Sequence, residues 1–384
     1  MKRIYLDYNA TTPLDPKVLE AMLPYLKEKF GNPSSIHAEG RLARAVVDES
    51  RDQLAAILGA KSHEIIFTGS GTESNNLAIL GLALANAERG KHIITSQIEH
   101  HAVLHACQLL EKRHGFTVTY LPVDASGLVD EEKLRQAIRP ETTLISLMSA
   151  NNETGTRQSV EKIGHWCREQ KILFHVDAIQ SFGKEPVNVK TWSVDALSLA
   201  AHKFYGPKGV GALFLRSGLS LAPTLVGGAQ ENQRRPGTEN VAAIVGLTVA
   251  AQQAVQQISS EMPRQQQWIE NFWGQLSQAV TGLHRNGDSI ARIANTLNVS
   301  VEEVKGEELL IACDLEGLAL SSGSACMVGS MQPSYVLLAM GVPPQLAQAA
   351  LRFSIGKLTE ESQISEIIPR FKKVIAQLRS QSSK

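Results

Sequence analysis

Leu173-Phe174-His175-Val176-Asp177-Ala178-Ile179-Gln180, followed by Ala196-Leu197-Ser198-Leu199-Ala200-Ala201-His202-Lys203, is the stretch that decides the fold. Each half opens on a short apolar run, Leu/Ile/Val-rich rather than alternating, which reads as a strand buried on both faces. An acid, Asp177, and a lysine, Lys203, follow at successive strand ends, and open α/β sheets bind their ligands along that edge. Lys203 stands among apolar neighbours, where desolvation lowers an ammonium from its usual pKa of about 10.4 and frees a nucleophilic amine. An amine of that kind condenses with carbonyl compounds. Taken alone, the pair reads equally well as a structural ion pair.

The same rhythm of short apolar runs and longer helical patterns extends from about residue 50 to 220: Ile65 to Phe67, a helical Leu77 to Ala85, Ile93-Ile94, Val118 to Leu121, Leu144 to Met148 and Gly211 to Leu215. Alternation of this kind predicts α/β structure with a mainly parallel sheet. Ile65-Ile66-Phe67-Thr68 runs into Gly69-Ser70-Gly71-Thr72-Glu73 and a helix through Ala85, and the unpaired N–H groups of a helix start bind phosphate. A nicotinamide cofactor would require G-x-G-x-x-G, but Ser74 holds the third glycine position, and no G-x-x-x-x-G-K-[ST] occurs. Outside this context Gly69 and Gly71 would pass for an ordinary tight turn.

Beyond residue 250 the composition turns Gln-rich, with Val255, Ile258 and Met262 at helical spacing, as in a helix leaving the sheet domain. The expected division is a large domain of residues 15–255 and a smaller α+β domain built from 1–14 and 256–384, with strands at Ala294 to Val299 and Ala319 to Ser321 and a closing helix from Ile364 to Leu378. A chain of 384 residues suits two domains of about 150 residues each.

Charge, cysteines and termini narrow the function classes. Lys and Arg number 38 against 38 Asp and Glu, so no charge excess points to nucleic acid or an anionic membrane surface. The longest apolar runs, such as Val241 to Ala251, fall short of the roughly 18 residues of a spanning helix, and Lys2-Arg3 is followed by too short an apolar run for a secretion signal. Cys107, Cys167, Cys313 and Cys326 lack paired spacing, which argues against zinc and disulfides and suits a reducing, cytoplasmic setting. No metal site is expected, since no H-E-x-x-H occurs either.

Cys326 differs from the other three, which lie in apolar patterns and read as inert buried thiols. It ends Ser321-Ser322-Gly323-Ser324-Ala325-Cys326, a run of small residues that cannot pack a core and reads as a mobile loop carrying a thiol. About 3% of an unperturbed thiol is ionised at pH 7, so a nearby base would help it react. His100-His101, past the strand Ile93-Ile94, offers such a base or a ring to stack on a cofactor; a surface histidine is the ordinary alternative.

These stretches, together with Tyr5 to Pro13, Phe30 to Ser35, Gly71 to Asn75, Glu99-His100, Asn151 to Gly155, Arg235 to Asn240 and Arg352 to Ser354, resemble the cysteine desulfurases of the NifS/IscS kind, in the class V aminotransferase group. The resemblance runs essentially end to end. It implies a fold-type I pyridoxal 5'-phosphate enzyme whose large domain holds a mixed, mainly parallel seven-stranded sheet and whose small C-terminal domain carries the cysteine loop. Lys203 would carry the cofactor covalently, Asp177 pair with its pyridine nitrogen, Gln180 and Asn152 address its ring oxygen, and His100 stack on the ring and take part in catalysis. Gly71, Thr72, His202 and Thr238 of the neighbouring subunit would hold the phosphate, Arg352 with Asn32 and Asn152 would bind substrate, and Cys326 would take the sulfur of L-cysteine, leaving alanine. The implied partners are a second copy of the chain and sulfur acceptors or scaffolds for iron–sulfur cluster assembly and thionucleotide synthesis. Selenocysteine lyase or an aminotransferase would share the lysine and acid but not explain Cys326, and an idle assembly subunit would have no use for the intact lysine, acid, arginine and cysteine. Ala200 stands where relatives have a phosphate-binding serine, Ala229 replaces the third glycine of a usual triple, Pro236 precedes Gly237, and Met327 to Ser330 depart after the cysteine.

Overall fold

A computed structural model describes residues 3–322 and 332–382. Its centre is a seven-stranded sheet in the order Ile65–Thr68, Gly211–Leu215, Ala196–Ala200, Leu173–Asp177, Thr142–Met148, His92–Ser96, Thr117–Leu121. Gly211–Leu215 runs antiparallel to both its neighbours, and all other pairings are parallel. Every strand but the edge strand Thr117–Leu121 is buried along its whole length. That accounts for apolar runs without alternation: helices cover both faces of the sheet, so neither face needs polar residues.

The two faces are closed by separate apolar clusters. On one, Val47, Leu54 and Leu58 of the helix Ala38–Leu58 and Ile244 and Leu247 of the helix Val241–Ala279 meet Ile94, Ile145 and Leu199. On the other, Leu77, Ile79 and Leu82 of the helix Gly71–Ala85 and Val103 and Leu110 of the helix His101–His114 meet Ile66, Ile93 and Leu144. By length and composition Val241–Ala279 could cross a bilayer, further than the shorter apolar run in its sequence suggested. Its apolar residues from Val241 to Ala254 are instead packed into the sheet domain.

The same helix joins the two cores: past Ala254, the residues Trp268, Ile269, Phe272 and Leu276 enter a second core with Leu297, Val299, Leu351, Phe353 and Phe371. That core lies on a four-stranded antiparallel sheet, Ser321–Ser322, Ala350–Ser354, Thr296–Val301, Leu283–Asn286. The strand expected over Ala319 to Ser321 divides, because Leu318–Ala319 pairs in parallel with Ile4–Tyr5 while Ser321–Ser322 joins the antiparallel sheet. Ile4 and Leu6 sit in this C-terminal core, and the segment after them crosses to the large domain through Thr12 N–H to His202 O (2.9 Å) and Asp15 N–H to Tyr205 O (3.0 Å).

Phe353 is fully buried against the rings of Phe272 and Phe371, next in sequence to Arg352. Phe353→Ala should cost about 3–5 kcal/mol, as for large aromatic truncations in packed cores, and lower the urea midpoint of the small domain. An unchanged midpoint would contradict that packing.

Candidate active site

Five parallel strands end on one edge of the sheet, and each hands its next residues to a common cavity of about 480 Å³. Ile65–Thr68 delivers Ser70, Gly71 and Thr72, and His92–Ser96 delivers His100 and His101. Thr142–Met148 leads to Ala150, Asn152 and Glu153, Leu173–Asp177 to Asp177, Ile179 and Gln180, and Ala196–Ala200 to Ala200, His202 and Lys203. Asn9 and Ala10 of the N-terminal segment and Tyr335 and Arg352 of the small domain complete the walls.

Asp177 lies at the bottom. One oxygen accepts from Asn75 Nδ2 (2.7 Å) and the other from Ile179 N–H (3.0 Å). Burial pushes its carboxyl above the usual range, opposed by those two donors and by the nearby His100 and Lys203. A buried carboxylate with neutral donors only is a ready partner for a cationic N–H. Glu99, also buried, is pushed well up by burial and by its neighbour Asp177.

His100 caps the helix His101–His114, its Nδ1 accepting the N–H of Ala102 (3.1 Å). Burial, helped by Lys203 and His105 and opposed by Asp177, pushes its imidazole down, so the ring lies at the cavity uncharged at neutral pH. His202, with Nδ1 3.2 Å from Thr11 Oγ1, is pushed down to about 4 by burial and by Lys203. The amine of Lys203 is not in apolar surroundings, contrary to the expectation from its neighbours in sequence: Nζ donates to the carbonyls of Asn9 (2.6 Å) and Ala10 (2.9 Å). Those carbonyls orient the amine across from Asp177.

At the other end of the cavity, Ser70 caps the helix Gly71–Ala85 by accepting from Glu73 N–H (3.1 Å), while Glu73 reaches back to Gly69 N–H (2.7 Å) and pairs with Arg235 (2.7 Å). A Cβ on Gly71 would stand 2.4 Å from Ile179 Cδ1 and 3.0 Å from Ala200 Cβ. A larger residue here would have to displace the end of Ile179 and press on Ala200. Arg352 donates to Asn152 O (2.9 Å) and to Asp7 Oδ1 (2.7 Å). Its Nε and the side-chain oxygen of Asn152 are buried and make no hydrogen bond.

Of the residues singled out from sequence, Gly71, Thr72, His100, Asn152, Asp177, Gln180, His202, Lys203 and Arg352 share this one cavity. Asn32 and Thr238 do not line it; both are exposed, with Asn32 capping its own turn through Ser34 N–H (2.9 Å). Cys326 lies outside the described residues. Four contributors were not singled out: Asn9, Asp7, Asn75 and Lys184. The first three stand inside stretches recognised for their resemblance, so the signal was present. Lys184, in a Gly-Lys-Glu turn, carries no local mark that separates it from a surface lysine.

The site fits pyridoxal phosphate. It offers a lysine on the strand edge, a buried acid able to take a ring N–H, a neutral imidazole, and a helix start with free N–H groups that a glycine brings close to the strand ends. Ser198 Oγ is committed to His175 Nε2 (2.9 Å), so neither it nor the exposed Thr238 of the same chain supplies the hydroxyl that Ala200 lacks. Ala200→Ser should therefore slow cofactor loss on dialysis several-fold, and at most about a hundredfold, because a hydrogen bond to a charged group is worth about 1.5–3 kcal/mol. Equal rates of absorbance loss for the two proteins would defeat this reading.

Residues 4–367 match the family described as aminotransferase class-V. The chain is 48% identical to a cysteine desulfurase IscS of Dictyoglomus turgidum over 99% of its own length and 96% of that protein's. A solved NifS-like protein superposes with a TM-score of 0.92 at 36% identity, covering 98% of this chain and all of that one (100%). A structure described as SspA in complex with cysteine superposes with a TM-score of 0.81 at 41% identity over 91% of this chain and 98% of its own. The chain belongs to the class-V aminotransferase family and, within it, to the cysteine desulfurases of the IscS/NifS kind.

Proposed function

We propose that this protein removes sulfur from L-cysteine, releasing L-alanine and leaving the sulfur as a persulfide on Cys326, from which acceptor proteins of iron–sulfur cluster or thionucleotide assembly take it. The observation that carries the reading is how the chain brackets Cys326. Ser321 is the strand partner of Arg352, and Cys326 follows five residues later, a reach of at most about 17 Å. On the far side Ser334 donates to the Glu153 carboxylate and Tyr335 OH to Glu99 O (2.6 Å), so both flanks of the cysteine segment are fastened to the cavity wall. An aminotransferase would need no thiol there.

The residues divide the work. Arg352 meets the substrate carboxylate through its buried Nε and the remaining N–H of its fork, a planar arrangement that lysine lacks. Pyridoxal phosphate, on which this family depends, supplies an electron sink for the substrate's α-carbon. Lys203, oriented by Asn9 O and Ala10 O, is placed to take the α-proton. Asp177 would hold the cofactor through its ring N–H, and the neutral His100 would offer it a ring face and a site for proton exchange. The sulfur step balances without an external oxidant: the Cys326 thiolate attacks the substrate sulfur, the S–S bond forms as the Cβ–S bond breaks, and the β-carbon ends as the methyl group of alanine.

The protein is proposed to act as a homodimer in the cytoplasm. Leu19, Leu23 and Leu26 form an outward stripe on the helix Pro16–Lys27, and Phe30 (79% exposed) and Ile36 (90%) follow it. Apolar surface of that kind is what a symmetric interface covers. Cys107, Cys167 and Cys313 are buried and unpaired, with Cys167 and Cys313 pushed up to about 12 by burial, which agrees with a reducing compartment.

Mixing the protein with L-cysteine and a reductant should give alanine and sulfide in equal amounts. Cys326→Ser should still bind cofactor and cysteine but lose alanine turnover by orders of magnitude; near wild-type turnover would make Cys326 a bystander. Arg352→Lys should weaken cysteine binding while cofactor content stays intact, and equal wild-type affinity for L-cysteine and cysteamine, which lacks the carboxylate, would contradict the role of Arg352.

A further inference from the structure

One half-buried lysine near the site has no part in the mechanism above. Lys184 stands in the turn after Gln180, and its Nζ donates to Asn9 Oδ1 (3.0 Å) and Gln180 Oε1 (2.9 Å). Among the described residues no carboxylate pairs with it; the neighbouring Glu185 is taken by Arg157 at 3.1 Å. Burial, with Lys203 and Arg352 adding to it, pushes this amine well below the usual lysine range. An amine drawn partly out of solvent onto two neutral oxygens gives up hydration for no ion pair, and a lysine pointing to solvent would serve a turn equally well.

Its partners indicate its use. Gln180 donates through Nε2 to the carbonyl of Asn9 (2.9 Å), the same oxygen that accepts from Lys203 Nζ (2.6 Å). Lys184 offers donors at one end of the Gln180 amide, and Asn9 O can only accept at the other. Flipping the amide would set donor against donor and acceptor against acceptor, so its orientation is fixed from both sides. One N–H of Gln180 Nε2 then remains for the cavity that Gln180 lines. Lys184 also meets the Asn9 side-chain oxygen, but Asn295 Nδ2 (3.0 Å), Thr296 Oγ1 (2.8 Å) and Asn152 O (3.2 Å) hold that side chain without it.

We propose that Lys184 is a positioning residue for the cofactor site: it locks the Gln180 amide with its NH2 turned to the cavity, so that a fixed N–H donor meets the ring oxygen of a pyridoxal-type ligand. This rests on the pyridoxal phosphate reading of the cavity.

The test is a double-mutant cycle read by cofactor affinity, not by turnover. Lys184→Met should weaken pyridoxal phosphate binding about tenfold. In a Gln180→Leu background the same change should add less than about twofold, because its route to the cofactor is already gone. Lys184→Met should leave the affinity for 3-deoxypyridoxal phosphate, which lacks the ring oxygen, within about twofold of wild type. Lys184→Gln, a smaller polar change that cannot span both oxygens, must give the same pattern and serves if the methionine variant does not fold. Equal losses in both backgrounds, equal losses for both ligands, or no loss would overturn the proposal. Wild-type protein that binds no pyridoxal phosphate would sink the cofactor reading and the proposal together, whereas normal wild-type binding with an additive cycle overturns only the role of Lys184.

Discussion

The carbonyl oxygen of Asn9 receives two donors at once, the amine of Lys203 and the amide of Gln180, and the site is organised around that point. It lies on a segment belonging to neither core. Before it, Ile4 and Leu6 are buried in the small domain, and after it Thr12 and Asp15 bond to the backbone of the large one. The Asn9 side chain adds bonds to Thr296 Oγ1 (2.8 Å) and Asn152 O (3.2 Å), and its backbone N–H reaches Ser354 Oγ (2.9 Å). A strand-end lysine has a long, rotatable side chain that would sweep a wide volume; two fixed carbonyls reduce it to one direction.

Charge in the cavity is set by burial and by the neighbours of each group. Burial pushes the carboxyls of Asp177 and Glu99 up and the imidazoles of His100 and His202 down, while the donors Asn75 and Ile179 and the nearby His100 and Lys203 oppose the rise at Asp177. The guanidinium of Arg352 and the amine of Lys203 line the space where a phosphate and a carboxylate would bring negative charge. Asp7, which pairs with Arg352 at 2.7 Å, holds the guanidinium in place while leaving its buried Nε without a hydrogen bond.

Division of the site between two domains has a mechanical reading. The strand edge of the large sheet supplies the lysine, the acid and the helix start, while the small domain supplies Arg352 and the flank of the cysteine segment. The helix Val241–Ala279 enters both cores, so the distance between the two halves is set by a rigid element, and the cluster of Ile98 with Val336, Leu337 and Met340 packs the small domain's residues against a large-domain strand end.

The sequence by itself determined the class of fold and the chemistry of the edge. Unalternating apolar runs between helical patterns can be satisfied only by a sheet covered on both faces, and a glycine-rich turn, an acid and a lysine at the ends of such strands converge because parallel strands end together. His100, Asp177, Gln180, Lys203 and Arg352 were legible for that reason or through the resemblance of the stretches that hold them. Only the tertiary structure decided the rest. Asn9 with Lys203, Asp7 with Arg352 and Asn75 with Asp177 are 194, 345 and 102 positions apart, and no local pattern encodes such pairings. The split of Leu318 to Ser322 between two sheets depends on where Ile4–Tyr5 arrives. Lys184 shows the limit most clearly: its turn is that of an exposed lysine, and its place beside Gln180 and Asn9 comes from the packing of that turn against the N-terminal segment, 175 positions away.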